Sequence, residues 1–561
     1  MNSAVLAIFG IMAFLTAYRF YSRYLSEKIF ALKSLADTPT PAHALEDGVD
    51  YVPCHKNVLT GHHYSSIAGA APIVGPAVAV IWGWLPAVLW IIFGVIFMGA
   101  AHDFGTLVLS MKNGGKSIGQ IAEGIFGGES GKRVRTLFLI VIFFLVLMVL
   151  AVFALVIANL FISFPGSVLP VNFEIIIAIL MGVFINKNGG GKLLWPSILA
   201  QICLWVMIYI GTYNPISLEP IFGANQAYAW MIFLMGYSFI ACILPVWVLL
   251  QPRDYINSHQ LYTGLGLIIL GLIVVHPPVV APMINTSADG APPMFPFLFI
   301  TIACGAISGF HGLVASGTTS KQVNKWVDAR PIGYGSMLGE GLLALLATIA
   351  ATAGFKTATE WHLHYSSWSA ASGLKAKISA FVVGSSRFLG GLGIPEEIGQ
   401  TVIAVLIISF AATSLDTAAR IQRYIIGEIG ESFGIDAFKN RFIGAGLAVG
   451  SALGLMLLKG GGKGGLILWP LFGATNQMLA GLSLIVIVVY LIKAKKPTAS
   501  FAIPAVFVVG VTSLSLIMNI KIYIGNSNWF LTTLAITLFI SQIWIVVEGL
   551  LAIKRFKGAK E

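Results

Sequence analysis

The hydropathy pattern constrains the fold of this chain most, because long apolar runs recur from one end to the other. A helix needs about 20 apolar residues to cross the roughly 30 Å hydrocarbon core of a bilayer. Lipid leaves backbone polar groups no outside partner, which favours helices as the spanning elements. The pattern therefore predicts an all-α polytopic membrane protein with about 15 transmembrane helices. Their approximate positions are 3–17, 62–84, 86–108, 136–162, 171–185, 195–212, 229–250, 261–275, 296–316, 333–353, 399–418, 441–458, 465–492, 500–519 and 528–552.

Charge supports the same class. Only 10% of the residues are charged and 57% are hydrophobic, whereas soluble domains contain about 25% charged residues. A net charge of +11 would suggest a nucleic-acid partner in a soluble chain. Here 27 of the 34 basic residues lie in loops on one side if the N-terminus is outside, so no nucleic-acid partner is expected. Because basic loops face the cytoplasm, the pattern predicts an external N-terminus and a cytoplasmic C-terminus.

The spacing of the predicted spans suggests an internal repeat. Leu194-Trp195-Pro196 opens the sixth span from the inner side, and Leu468-Trp469-Pro470 opens the thirteenth from the outer side. Each is the fifth span of a set whose first span is rich in small residues. We therefore predict a five-plus-five inverted repeat led by two broken helices, an arrangement typical of secondary transporters. The predicted segments are an N-terminal helix and loop (1–61), the first repeat (62–213), two inserted helices (214–295), the second repeat (296–492) and two C-terminal helices (493–561). An external segment near 354–398 interrupts the second repeat, and its part near 376–394 is interpreted as an interfacial or re-entrant piece.

Two adjacent histidines stand where the first broken helix is predicted to begin. An ionisable residue inside a span costs several kcal/mol unless it is paired or hydrated, roughly 2.5–3.5 on insertion scales. At a helix N-terminus, His62 and His63 would cap the helix or meet an anion, although they could also be plain interfacial histidines. Together with Cys54 and His55 they could also be metal ligands, but their spacing is unlike that of known sites. We therefore predict no metal.

Further ionisable groups lie deeper in the spans. Asp103 is a candidate proton site, because an isolated buried carboxyl favours its neutral form. Glu340 takes a comparable place in the second repeat, and Ser308 and His311 share one face of the second broken helix. For each of these the alternative is a structural hydrogen bond.

The stretch 409–424 is the densest in polar groups. Thr413, Ser414 and Thr417 offer oxygens of the kind that hard cations prefer. Asp416 and Arg420 have the i, i+4 spacing of a helical salt bridge, so an ion pair closing the helix is the alternative. No cofactor is expected apart from a coupling Na⁺ or H⁺. The chain contains no Walker motif and no credible catalytic motif, which argues against an ATP-driven pump and an enzyme.

Several of these stretches resemble the signatures of the carbon starvation protein A family. The matching segments are His62-His63, 67–70, 72–76, 99–104, 244–247, 252–255, 295–297, 307–311, 316–319, 332–335, 415–418 and 469–473. The resemblance implies an inner-membrane uptake protein connected with nutrient limitation, with peptides or pyruvate as substrates. It also implies membership of the amino acid–polyamine–organocation superfamily and a leucine-transporter-like repeat with extra peripheral helices. By this resemblance, a sodium site would join residues 67–73 to Thr413 and Ser414.

The residues and the resemblance together predict a secondary active importer of small carboxylate-bearing nutrients, coupled to protons or sodium during carbon limitation. A membrane-embedded nutrient sensor and a polytopic membrane enzyme are the alternatives. The expected partners are the substrate and the lipid bilayer, and the sequence leaves the oligomeric state open. The predicted substrate-binding residues are His62, His63, Ala68, Gly69, Ala70, Ser308, Gly309 and His311. The predicted coupling residues are Asp103, Glu340, Thr413, Ser414, Asp416 and Thr417.

Overall fold

The computed structural model describes residues 1–187, 194–286 and 288–558 of the chain. These residues form helices and no β-strand. The first helices are α1 Ser3–Tyr24, α2 Pro41–Ala44, α3 Lys56–Ile67, α4 Ala71–Ala79, α5 Trp84–Gly94, α6 Ala100–Lys112, α7 Ile118–Phe126, α8 Gly128–Ser163, α9 Val168–Lys187, α10 Leu194–Tyr213, α11 Glu219–Phe222, α12 Gln226–Ile243 and α13 Leu250–Val275. The others are α14 Met294–Thr301, α15 Ala303–Ala306, α16 Gly309–Gly317, α17 Ser336–Ala353, α18 Ala358–His364, α19 Trp368–Ser372, α20 Leu374–Gly390, α21 Glu396–Phe433, α22 Arg441–Leu457, α23 Gly465–Lys493, α24 Ala499–Gly525 and α25 Trp529–Gly558.

Twelve helical segments of the described chain are long and apolar enough to cross a membrane, or 13 if the bent pair α3–α4 is one span. The two other predicted spans correspond to the interrupted helices α14–α16 and to α22, which has 17 residues. The prediction of an all-α polytopic membrane protein is thus confirmed. The inverted repeat stays a prediction. Of the basic residues counted above, Lys192 and Lys560 lie outside the described residues.

Both predicted broken helices are interrupted. Between α3 and α4 the helix stops at residues 68–70, and the two halves differ in direction by 47°. Between α15 and α16, Ile307 and Ser308 have extended backbone. One boundary is corrected, because α3 begins at Lys56 rather than at 62, with His55 as its N-cap. His62 and His63 therefore lie in the second turn, where their side chains meet neighbouring helices rather than capping the helix.

The long helices α8 and α21, of 36 and 38 residues, pack against each other in the centre of the bundle. In their most apolar segments 83% and 89% of the residues are buried, against 28% in the spans Trp195–Tyr213 and Trp529–Phe556. Apolar side chains that are exposed on α10 and α25 face lipid when the chain lies in a bilayer. The central helices can hold polar groups because their neighbours shield those groups from lipid.

Loops predicted for the same side of the membrane meet in the structure. On one side, the backbone N–H of Ser3 donates to the carbonyl of Pro277 at 3.2 Å. On the other side, the N–H of Cys54 donates to the carbonyl of Gln322 at 3.0 Å. The grouping of loops into two sides thus agrees with the predicted alternation of spans.

The segment predicted as external, near 354–398, folds as α18, α19 and α20. Helix α20 covers the piece near 376–394 and packs against α4, α13, α17 and α21. Arg387, which interrupts the apolar run, pairs with Glu360 at 2.8 Å. The pair accounts for a charged residue within an otherwise apolar helix.

Candidate functional site

A buried histidine stands between two carboxylates at the second broken helix. His311, in the first turn of α16, directs Nδ1 at Asp103 Oδ2 of α6 at 3.1 Å. Its Nε2 lies 3.1 Å from Glu340 Oε2 of α17, at ion-pair distance. All three side chains are fully buried. Three predicted site residues on three helices thus form one cluster, which we call the His311 cluster.

A second histidine joins this cluster. His102 Nδ1 lies 2.9 Å from the other oxygen of Asp103, although neighbouring residues on a helix point about 100° apart. Asp103 therefore accepts from two imidazoles, whereas neither oxygen of Glu340 has a hydrogen bond of good geometry among the described residues. Glu340 is thus the carboxyl of the cluster that the protein solvates least.

Ser308 lies at the break itself and contacts a different helix. Its hydroxyl lies 3.0 Å from Asn476 Nδ2 of α23, and Asn476 Oδ1 accepts the backbone N–H of Phe310 at 2.9 Å. Asn476 thereby satisfies one of the free donors at the start of α16. Next to it, Gly309 packs directly on α23, since a Cβ there would lie 2.4 Å from the Asn476 carbonyl oxygen. The second break is thus held to α23.

His62 and His63 link the two broken helices. His62 Nε2 lies 2.9 Å from the Thr318 hydroxyl, and His63 Nδ1 lies 2.9 Å from the Thr319 hydroxyl. Both threonines directly follow α16. His62 Nδ1 also contacts Asp254 of α13, whereas Nε2 of His63 is buried without a partner among the described residues.

The first break lies against α21, at the place implied for a cation site. Ser414 donates to the Ser66 carbonyl at 2.9 Å, and the hydroxyls of Ser66 and Thr417 are 3.0 Å apart. Thr413, next to Ser414 and one turn before Thr417 in α21, accepts from Asn257 of α13 at 2.8 Å. The predicted oxygens do come together, and these side-chain oxygens are already hydrogen-bonded to one another or to an amide.

The break residues Ala68, Gly69 and Ala70 approach the central helices closely. A Cβ on Gly69 would lie 2.7 Å from the Phe153 ring and 2.8 Å from the Ser414 hydroxyl. A contact that short would force the Phe153 ring or the Ser414 side chain to shift, so the close approach favours glycine at this position.

The salt bridge between Asp416 and Arg420 is not formed. Asp416 instead contacts Arg253 of α13 and accepts from the Tyr237 hydroxyl at 2.7 Å. Arg253 lies between the predicted spans 229–250 and 261–275, where the sequence predicts a loop, but its side chain is buried within α13 and also faces Glu174 of α9 at 3.5 Å. The i, i+4 interpretation fails because a buried guanidinium from another helix offers the carboxylate a closer charge.

Arg420 pairs with the loop before α3. Its guanidinium donates to Asp50 at 2.8 Å, and Arg423 reaches the same carboxylate at 3.1 Å. Burial raises the pKa of Asp50, but the charges of Arg420 and Arg423 outweigh that effect and bring the pKa to about 2. The N-terminal loop is thus held against the inner end of α21.

The four residues considered as metal ligands near the first broken helix do not form a cluster of donors in the described chain. Cys304 Sγ, His311 Nε2 and one Glu340 oxygen do lie within 4.8 Å of one another. His311, however, directs each ring nitrogen at a carboxylate, so the nitrogen that an ion would need already faces Glu340. The geometry suits proton transfer between His311 and its neighbouring carboxylates better than binding of a metal ion.

Sequence reasoning missed several residues of these networks. Glu174, Asn476, Cys304 and Tyr237 were not singled out, and Asp254 was noted only within a family signature. Glu174 gave the clearest overlooked signal, since it is an acid inside an apolar span. The partners of Asn476 and Tyr237 depend on contacts between helices distant in sequence, which no local pattern reveals.

Helices long enough to span a membrane, two of them broken around buried polar networks, define a polytopic transport-type membrane protein. A family model described as carbon starvation protein CstA matches residues 2–360 and 355–515. The chain belongs to this family.

Curated relatives extend the comparison. A "Peptide transporter CstA" of Helicobacter pylori is 34% identical over 575 residues, covering 92% of this chain and 82% of that protein. A protein of the same name from Bacillus subtilis is 34% identical, covering 87% and 85%. The "Pyruvate/proton symporter BtsT" of Escherichia coli is 31% identical, covering 93% and 82%. These relatives are named transporters, and the chain matches each of them over most of its length. The chain is therefore a membrane transport protein rather than an enzyme.

Solved structures are more distant. A manganese transporter of Eremococcus coleocola is 12% identical with a TM-score of 0.48, covering 91% of this chain and 99% of that one. MhsT in complex with L-phenylalanine is 12% identical with a TM-score of 0.44, covering 89% and 99%. At this distance neither likeness bears on the site.

Proposed function

We propose that the protein is a proton-coupled importer of small carboxylate-bearing nutrients, either short peptides or pyruvate. The single observation that carries the proposal is the buried triad of His311, Asp103 and Glu340. One imidazolium between two carboxylates has a net charge of −1, so one further proton makes the triad neutral. A buried site, where water does not screen the charges, favours that neutral state strongly. Binding and release of one proton is thus the chemistry that the triad supports.

Among the predicted coupling groups, the triad is favoured over Asp416. Arginine keeps its charge at all relevant pH values, so Asp416 has a permanent counter-charge in Arg253 and little reason to take up a proton. The partner of Glu340 at ion-pair distance in the described chain is the titratable imidazole of His311.

A proton is also favoured over sodium. A sodium ion needs several free oxygens around it, in the manner of other hard cations. The hydroxyls of Ser414 and Thr413 are engaged by the Ser66 carbonyl and by Asn257. The name of the Escherichia coli relative, a pyruvate/proton symporter, agrees with this choice.

In the proposed cycle, the substrate carboxylate binds between the two broken helices. Helix ends at a break offer N–H groups to an anion, and the proposed backbone contacts are at Ala68, Gly69, Ala70 and Gly309, which are buried here and become exposed only when the surrounding helices move apart. His63, whose Nε2 has no partner in the described chain, is the proposed side-chain contact.

The proposed setting is the cytoplasmic membrane under carbon limitation. The side that holds Asp50 and Lys321 contains most of the basic loop residues, so we assign it to the cytoplasm. The family's name, which refers to carbon starvation, supports the physiological role.

Uptake into proteoliposomes tests the proposal. Purified protein is reconstituted, and accumulation of labelled pyruvate and alanyl-alanine is measured under an imposed pH gradient or an imposed sodium gradient. We expect the pH gradient alone to drive accumulation of at least one compound. Accumulation driven only by sodium would transfer the coupling role to Thr413, Ser414 and Thr417. If neither gradient drives either compound, the symport proposal is wrong.

A further inference from the structure

A cavity of about 680 Å³ opens beneath the second broken helix, on the side assigned to the cytoplasm. Its volume lies within the range of about 300–1,000 Å³ typical of small-molecule sites. Ser316 and Gly317, at the end of α16, line its inner part, and the loop before α3 and helix α21 line its walls. Thr318 and Thr319, which contact His62 and His63, directly follow Gly317 in the chain.

The charges of the cavity are mostly paired with one another. Asp50 binds Arg420 and Arg423, Glu428 accepts from Ser117 at 3.0 Å, and Glu431 binds Arg135 at 2.7 Å. Asp47 accepts three backbone N–H groups of its own loop, each at 2.9 Å. Each acid that lines the cavity thus has its own donor.

Among the cations that line the cavity, Lys321 is the partly buried one without an acidic partner in the described chain. No carboxylate of the described residues lies within 4.0 Å of its Nζ. The ammonium instead lies 3.9 Å from the centre of the Tyr424 ring and 5.4 Å from that of Tyr51. A cation above an aromatic face is attracted to it and still offers its N–H groups to a ligand. Lys321 therefore presents an unneutralised positive charge to the cavity.

The loop at Gly115 fixes the position of the Lys321 side chain. Gly115 has φ +74°, and a Cβ there would lie 3.0 Å from the Tyr51 ring and 3.2 Å from Lys321 Cγ. The stem of Lys321 is thus held between this loop and the two tyrosines, which lowers the entropy that the ammonium would lose on binding a ligand.

We propose that Lys321 binds the substrate carboxylate in this cavity as the substrate leaves the two broken helices towards the cytoplasm. The inference rests on the proposed function, since it assumes a carboxylate-bearing substrate. It adds a binding site on the release side, about one helical turn beyond the threonines that contact the two histidines. The ammonium of Lys321 would give the anion a charged partner between the breaks and the cytoplasm.

The protonation of Lys321 supplies a readout specific to binding. Burial lowers the pKa of Lys321 to about 8, although the nearby acids Asp50 and Glu428 oppose the shift. Since the ammonium is the binding form, affinity for a carboxylate falls as pH rises through about 8. The other charged or titratable groups that face the cavity are Asp47, Tyr51, Lys116, Arg420, Arg423, Tyr424, Glu431, Lys439 and Arg441.

Calorimetric titration of the purified full-length protein tests the proposal. Pyruvate and alanyl-alanine are the ligands, and pyruvamide is the uncharged comparison for pyruvate. We expect Lys321→Met to weaken binding of the carboxylates at the cavity by about 10- to 100-fold, the usual effect of losing a hydrogen bond between charged groups, and to leave binding between the broken helices as a separate phase. Lys321→Arg should bind as tightly as the wild type at pH 7 and lose the fall in pyruvate affinity between pH 7 and 9. Lys116→Met, which removes a cation from the exposed rim of the same cavity, is the matched control and should bind like the wild type.

Thermal unfolding shows whether each variant is folded. A folded Lys321→Met protein with wild-type affinity for both carboxylates overturns the inference and leaves the proposed function intact. Equal weakening by Lys116→Met and Lys321→Met overturns it as well, because the summed positive charge of the cavity, rather than a defined site at Lys321, would then account for the binding. If the wild type neither binds nor transports either compound, the proposed function fails, and this inference fails with it.

Discussion

Asp416 and Glu340 are both buried carboxyls, but different groups stand opposite them. Asp416 contacts the guanidinium of Arg253, a charge that stays at every relevant pH. Glu340 lies 3.1 Å from the imidazole of His311 and lacks an aligned hydrogen bond in the described chain. The two residues should therefore respond differently to removal of their charge.

We expect Glu340→Gln to abolish accumulation driven by a pH gradient and to leave exchange of substrate across the membrane. The amide keeps the shape of the side chain but binds no proton, so the substrate site survives while coupling is lost. Uptake and counterflow in proteoliposomes measure the two effects separately. Glu360→Gln, which alters an exposed acid paired with Arg387, is the control and should accumulate substrate normally. Normal accumulation by Glu340→Gln would remove Glu340 from the coupling site.

Asp416→Asn should instead reduce stability. Loss of one partner from a buried ion pair costs about 3–5 kcal/mol, and Glu174, at 3.5 Å from Arg253, offsets part of that. We expect a lower midpoint of thermal unfolding in detergent and unchanged proton dependence of the remaining transport. Asp436→Asn, at an exposed pair with Lys439, should leave the midpoint in place. A stable Asp416→Asn protein without coupling would return Asp416 to the coupling role.

At the scale of elements, the break between α3 and α4 depends on close contact with α8 and α21. Gly69→Ala would place a methyl group 2.7 Å from the Phe153 ring, and overpacking of this kind costs about 1–3 kcal/mol. We expect lower thermal stability and slower uptake. Gly510→Ala in α24, where a Cβ would meet nothing within 4 Å, should be neutral or stabilise by about 0.5–1 kcal/mol. Wild-type stability and uptake in Gly69→Ala would show that the break tolerates a side chain.

The N-terminal loop and α21 are joined by Asp50, and this connection has a defined pH range. The pKa of Asp50 is lowered to about 2 in the folded protein from an ordinary value of 3.8. Its contribution to stability is therefore complete above about pH 4 and lost as pH falls towards 2. We expect Asp50→Asn to lower the unfolding midpoint at pH 7, and the difference from the wild type to narrow between pH 4 and pH 2. A difference that stays constant over this range would show that Asp50 does not pair with Arg420 and Arg423.

At the scale of the whole molecule, the loops form two groups, and the basic group is assigned to the cytoplasm. Exposed serines permit a test, because Ser369 lies on the predicted external side and Ser432 on the predicted internal side. We expect an impermeant maleimide to label Ser369→Cys in intact cells and Ser432→Cys only after permeabilisation. The native cysteines Cys54, Cys242 and Cys304 are buried, and Cys203 is partly buried, so the wild type provides the background. The reverse pattern would invert the topology, and labelling of both would contradict the alternation of spans.

The sequence predicted the architecture well because hydropathy is a local property. Each apolar run reports its own segment, and the small residues at 68–70 and around 308 marked the two interruptions. The same reasoning misplaced the start of α3, since residues 56–61 are too polar to read as part of a span. They form helix because His55 caps its start and Val58, Leu59 and Gly61 are buried against neighbouring helices, α13 above all, which a hydropathy window does not detect.

Partner choice was decided by tertiary structure. From sequence, Asp103, Glu340 and His311 were separate candidates, and the fold brought them together from α6, α17 and α16. Asp416 was matched with Arg420 by spacing, but packing gave it Arg253 of α13 and gave Arg420 to Asp50. The sequence alone determined the class of protein, the number of spans to within the broken helices and the polar residues that lipid would not accept. Only the tertiary structure decided which charges neutralise one another, because electrostatic pairing in a buried site depends on distances of a few ångströms between helices far apart in the chain.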